Sequence, residues 1–237
     1  MSTKRTVLTG IAGAALAGGS LLALPGLASA SVRPHTFATA KVQLETQLTN
    51  RSAQLGRLSA DVTAAKSLTP AHVIALNADI ASATANISAL VTRVQSATTG
   101  AQLKVDRASM VKQNRVYAVL TPQVFETIEA DQISSQVATF QLSEATLQSS
   151  VNLLVGLPGY TTAENHYVAF VRSVNQANEN ATDVATEVLL QTPADYPGDT
   201  HIFVKANKSL LAADIALAHA TYDESVVGLA SGGYTGS

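Results

Sequence analysis

The fold is decided by Pro70–Ala97, PAHVIALNADIASATANISALVTRVQSA. Val73, Leu76, Ile80, Ala83, Ile87, Leu90, Val94 and Ala97 follow one another at spacings of three and four without a miss. At 3.6 residues per turn, that places an unbroken apolar stripe on one face of a helix about 42 Å long. Thr69 is suited to cap the start and Pro70 to occupy the first helical position, where its missing N–H costs nothing. Leu68 and Val73 stand as a hydrophobic staple across that start. Thr98-Thr99-Gly100 reads as the stop.

Working outward, the same period runs backward through about Thr36–Lys66, with Phe37, Leu44, Leu48, Leu55, Leu58, Val62 and Ala65 on one face. Lys41 and Arg51 interrupt this stripe. The linker Ser67–Thr69 is too short for anything but an antiparallel neighbour, so 36–97 reads as a long helical hairpin. Forward of it, Gln102–Asn114 reads as helix. Arg115–Leu120 is β-prone and precedes Thr121-Pro122, so a break is expected near Leu120–Thr121. Either a short extended stretch at 115–120 or a helix continuing past a kink fits it. Val124–Leu154 is helical again, with Ala130, Ile133, Val137, Phe140, Leu147, Val151 and Leu154 on one face and Glu144 among them. Gly156-Leu157-Pro158-Gly159 stops it. A second hairpin follows: Thr162–Leu190 with Tyr167, Phe170, Val174, Ala177, Ala181, Val184 and Val188, a loop at Thr192–Thr200, and Ile202–Leu229 with Phe203, Ala206, Leu210, Ala213, Leu217, Ala220 and Val227. The expected fold is all-α, an extended bundle of antiparallel hairpins over 31–230, with central helices at 101–155, hairpins at 36–97 and 162–229, and a flexible tail at 231–237.

The first thirty residues have a different character. Lys4 and Arg5 precede an uncharged apolar run, Val7–Leu27, then Pro25-Gly26 and Ala28-Ser29-Ala30. This is the pattern of a secretory signal peptide cut between Ala30 and Ser31, giving an extracellular address. No other segment reads as long and apolar enough to span a membrane. The whole chain carries 15 Lys+Arg against 17 Asp+Glu. Loss of Lys4 and Arg5 leaves an acidic chain without the charge footprint of a nucleic-acid binder. With no cysteine there is no disulfide framework, no thiol chemistry and no cysteine-bound metal.

Two stretches, Gln191-Thr192-Pro193-Ala194-Asp195-Tyr196 followed by a helix of the form Leu-x-x-Ala-Asp-Ile-x-x-Ala, and Arg115–Gln123, resemble a loosely defined group of secreted, alanine-rich, helical proteins of actinobacteria. The resemblance covers most of the mature chain. It implies the helical fold and the extracellular address, and carries no catalytic residue. The sequons at Asn50, Asn86, Asn180 and Asn207 are accidental in such a bacterial protein. There is also an internal echo. Leu76–Ala81 matches Leu211–Ala216 at five of six positions, and each follows a Thr-Pro-Ala, at 69–71 and 192–194.

Chemistry is sparse. His35, His72, His166, His201 and His219 include no i, i+4 pair suited to zinc. His201 lies near Asp195 and Asp199 in a loop that reads as solvated, and His72 reads as a surface residue in a first turn. Glu126, Glu129 and Asp131 form the densest acidic cluster, and carboxylates so close on one helix are expected to face solvent. Glu144 reads as a helix-edge or paired charge. Tyr117, Phe125, Phe140, Tyr160, Tyr167 and Phe170 read as the bulky core joining the two hairpins, or as a groove for an apolar ligand. No nucleophile elbow, phosphate loop, dinucleotide fingerprint or calcium loop is present. The expectation is an exported, non-enzymatic protein acting by binding or by structure at the cell envelope. It has no catalytic, metal or cofactor residues, and its partner is an unidentified protein or a second copy. A carrier of a small apolar ligand or peptide is the alternative.

Overall fold

The computed structural model describes residues 36–198 and 200–232. The leader, its cleavage site, His35, Asp199 and the tail beyond Gly232 lie outside them. Among the described residues the chain is all-α, without a strand. Seven α-helices follow in order: α1 Phe37–Ala64, α2 Pro70–Ser96, α3 Gly100–Lys112, α4 Thr121–Asn152, α5 Tyr160–Ala181, α6 Val184–Leu189 and α7 Thr200–Gly232.

Helix starts follow local chemistry. The Thr36 hydroxyl accepts from the Thr39 N–H, and the Thr69 hydroxyl from the His72 N–H. Thr99 and Gln102 form a reciprocal capping box that opens α3. Thr99 thus begins a helix, where the sequence reading took Thr98-Thr99-Gly100 only as a stop. The two lysine and arginine interruptions of the α1 stripe are also accounted for. Lys41 Nζ donates to the Gln95 carbonyl at 2.6 Å, closing the C-terminal end of α2. Arg51 lies over the Tyr117 ring at 5.3 Å.

Three expectations need correction. First, of the two readings of 115–120 the extended one fails and the continuing helix holds. Val116–Leu120 is a π-helical turn that runs straight into α4. Pro122 has no N–H to offer the Ala118 carbonyl, so the α ladder fails there. The Thr121 N–H and hydroxyl both bond to the Val116 carbonyl instead, five residues back. Second, 162–190 is two helices. Thr182 is extended and Asp183 left-handed, at φ 65°, so the chain turns before α6. Third, α2 is long and apolar enough to cross a membrane by length and composition. Its large aliphatic residues Leu76, Ile80, Ile87, Leu90 and Val94 are nevertheless buried against the rest of the bundle. Gly156 and Gly159, at φ 81° and 94°, make the turn between α4 and α5. The α7 helix extends past its expected end at Leu229 to Gly232.

Two hydrophobic cores result. The first joins α1, α2 and α3 with Val116, Leu120 and Val124. The second joins α4 from Ala130 onward with α5, α6 and α7. Phe140 and Phe170 meet edge to face at 5.7 Å in this second core, with Tyr160 and Tyr167 packed around it. The expected aromatic bridge between hairpins therefore does not exist as such. Four of its six rings belong to one core, and Tyr117 and Phe125 are exposed. The internal echo also falls in unlike settings. Thr69 caps a helix, whereas Thr192 lies in a loop, held by the Asp195 carboxylate.

Candidate functional site

The first turns of α4 run between the two cores, and there the helix buries polar groups. Gln123, Glu126, Thr127 and Asp131 are all under 8 % exposed. Each interrupts or flanks the apolar stripe of α4, so together they form a polar seam where one core ends and the other begins. Asp131 spans it. Its Oδ2 accepts the Thr69 N–H at 2.7 Å, and its carboxylate lies 2.9 Å from His72 Nδ1. A carboxylate from α4 thus satisfies backbone at the start of α2, where the helix dipole favours negative charge. The expectation that this cluster faces solvent and that His72 is a surface residue is corrected on both counts. Glu126 has no partner for Oε2. Burial, then repulsion from Glu129, pushes its carboxyl up to about 8. Burial and the neighbouring Asp214 of α7 also raise Glu129.

Beside this seam lies a cavity of about 160 Å³. By the space one water needs, it holds on the order of ten water-sized groups. Asp79 and Ala83 of α2, Asn114 and Arg115, Val116, Val119 and Leu120 of the π turn, Gln123 of α4, and the segment Leu189–Pro193 line it. The π turn matters to its shape. The widened backbone shifts residues before α4 relative to those after, and such turns recur where a helix is adapted to a site. Gln123 Nε2 fixes the far wall, donating to the carbonyls of Val188 at 3.0 Å and Gln191 at 2.6 Å. Arg115 stacks on the Tyr196 ring at 4.1 Å, which orients its guanidinium.

The lining has unmet hydrogen-bonding capacity. Asn114 Oδ1, Arg115 Nε and Gln191 Oε1 are buried and lack any hydrogen-bond partner. Six such atoms occur among the described residues, and these three share one cavity. Asn114 is 95 % buried, and its amide nitrogen is already used by the Ser109 carbonyl. A buried polar atom without a partner costs about 1–3 kcal/mol, so the residues around this cavity carry a concentrated cost. A larger groove between α2 and α3 is open to solvent, and its Arg93–Asp106 pair is satisfied at 2.8 Å.

The acids and histidines considered as candidates from sequence do not line this cavity, whereas parts of the two stretches Arg115–Gln123 and Gln191–Tyr196 do, as does Asn86. Asp195 bonds Thr192, which holds its carboxyl below the ordinary range, and His201 Nδ1 lies 3.1 Å from the Gly198 carbonyl. Glu144 is 3.5 Å from the Tyr167 hydroxyl. His166 pairs with Asp223 at 2.6 Å, linking α5 to α7. Among the described residues no three His, Asp or Glu side chains are placed to hold a metal ion. The cavity's polar residues come from four separate segments, which only the tertiary fold brings together. Compared with family models, curated proteins and solved structures, the chain matches none.

Proposed function

We propose that this is an exported, non-enzymatic protein that binds a small organic molecule in the cavity at the junction of its two cores. The observation that carries the reading is the convergence of polar side chains on this cavity, three of which, Asn114, Arg115 and Gln191, hold a buried atom without a partner. Arg115 Nε–H asks for an acceptor, such as a carboxylate or carbonyl. Asn114 Oδ1 and Gln191 Oε1 ask for N–H or O–H donors. Ala83, Val116, Val119, Leu120 and Leu189 offer an apolar remainder. The complementary ligand has an aliphatic body with an acceptor group at one end and a donor at the other. The reading keeps the carrier alternative and makes its ligand more polar. Asp79, Ser82 and Thr192 belong to the lining with no histidine among them, and binding rather than turnover is proposed. Export follows from the leader, and sequencing the protein from culture medium should give an N-terminus at or near Ser31.

The test is native mass spectrometry of protein from its producing cells, beside Arg115→Met and Asn114→Leu. The wild-type protein is expected to carry a noncovalent organic adduct that both variants lose while keeping their helical circular dichroism. An empty wild-type cavity, with organic extracts of the protein blank, would mean that water alone occupies it.

A further inference from the structure

Among the described residues that line the cavity two carry charge, Asp79 and Arg115, one of each sign. They come from separate segments. Asp79 stands on the exposed side of α2, at the rim, and Arg115 is half-buried just before the π turn. Neither enters an ion pair or a hydrogen bond among the described residues, with the other or with any third group. The Tyr196 ring holds the plane of the Arg115 guanidinium, while its Nε–H stays without an acceptor. The protein around Asp79 partly desolvates it and raises its carboxyl.

Two neutral amides complete the pattern, and the chain fixes which way each points. Asn114 Nδ2 donates to the Ser109 carbonyl at 3.3 Å, and Gln191 Nε2 to the Glu187 carbonyl at 2.9 Å. In both, the oxygen is the atom left without a partner. The lining therefore presents a forked cationic donor together with three acceptor groups that lack donors, on Asp79, Asn114 and Gln191. A guanidinium matches a carboxylate bidentately, and an ammonium carries three N–H donors and no acceptor. A ligand with a carboxylate alone would answer Arg115 but bring a second negative charge near Asp79. A ligand with an amine alone would answer Asp79 and leave the guanidinium unpaired. An uncharged ligand would neutralise neither. A zwitterion answers both. The volume of about 160 Å³ takes on the order of ten non-hydrogen atoms, and Ala83, Val119, Leu120 and Leu189 give them an apolar surface.

Resting on the binding function proposed above, we infer that the ligand is a small aliphatic amino acid, its carboxylate on Arg115 and its ammonium towards Asp79, Asn114 and Gln191. Calorimetry of the purified protein tests this with two zwitterions of different charge separation, leucine and 5-aminopentanoate. Each is compared with its counterparts lacking one charge: 4-methylpentanoate and 3-methylbutylamine for the first, pentanoate and butylamine for the second. One zwitterion should bind, and each of its counterparts about tenfold more weakly or worse, the cost of losing a hydrogen-bonded charge. Asp79→Asn should weaken that zwitterion about threefold or more and leave its carboxylate counterpart no weaker. Asp79 is exposed, so helical circular dichroism should be unchanged. A counterpart binding as tightly as its zwitterion, or equal losses for both in Asp79→Asn, would overturn the inference and leave the cavity a binding site. Binding of none of the six probes, with another adduct in the native mass spectrum, would do the same. Binding of none, with a blank native spectrum, would remove the binding function and this inference together.

Discussion

Burial raises the Glu126 carboxyl from its ordinary 4.5 to about 8, so the folded chain holds this proton where the unfolded chain releases it. Stability linked to Glu126 is full below about pH 4.5 and falls as pH rises towards about 8, because above the unfolded value folding must take up a proton. Glu129 and Asp214, raised by burial as well, add to the same slope. Urea unfolding across this range should therefore show stability falling with pH, and Glu126→Gln should flatten the curve and exceed the wild type at pH 8. An identical slope in the variant would place the proton elsewhere. Asp131 is held by hydrogen bonds to Thr69 and His72. Asp131→Ala would strand the Thr69 N–H and His72 and should cost about 2 kcal/mol in urea unfolding, from the unpaired groups it leaves. At this scale little was legible from sequence. The partners of Asp131 stand 62 and 59 residues away at the start of α2, and the neighbour of Glu129, Asp214, lies on α7. One signal was present. Gln123 and Thr127 continue the α4 stripe backward at the spacing of its apolar residues, which marks them as facing inward.

The elements were far more legible, because period and caps are local. Ile87 stands mid-stripe in α2 and is fully buried, with exposed Ser88 beside it. Ile87→Asp should cost several kcal/mol, as an unpaired charge in a core does, while Ser88→Asp should change thermal stability little. Equal melting temperatures would mean that this face packs against nothing. The element-level misses have physical causes. At 182–183 the α5 stripe continues in phase across the break into Val184 and Val188, so periodicity alone cannot register the turn. At 116–120 β-branched residues before a proline suggested extension, but burial of Val116, Val119 and Leu120 among the first-core and α4 contacts outweighs their weak local preference.

For the whole molecule, the all-α architecture followed from the stripes and short linkers, whereas the division into two cores did not, since it is set by four polar residues within one helix. That division, with the α4 helix shared between both halves, should let the α1–α3 half unfold before the rest when the junction loosens. The placement of the rings makes the two events optically separable. The first core contains no aromatic side chain, and the immobilised edge-to-face pair sits in the second. With tryptophan absent, near-ultraviolet dichroism therefore reports the second half almost alone, while far-ultraviolet dichroism reports every helix. In rising urea the far-ultraviolet signal should fall in two steps and the near-ultraviolet signal only in the later one. Coincident curves would mean that the seam transmits order across the chain, and that the halves melt as a single cooperative unit. The protein thus carries its own near-ultraviolet reporter, set mainly in one half.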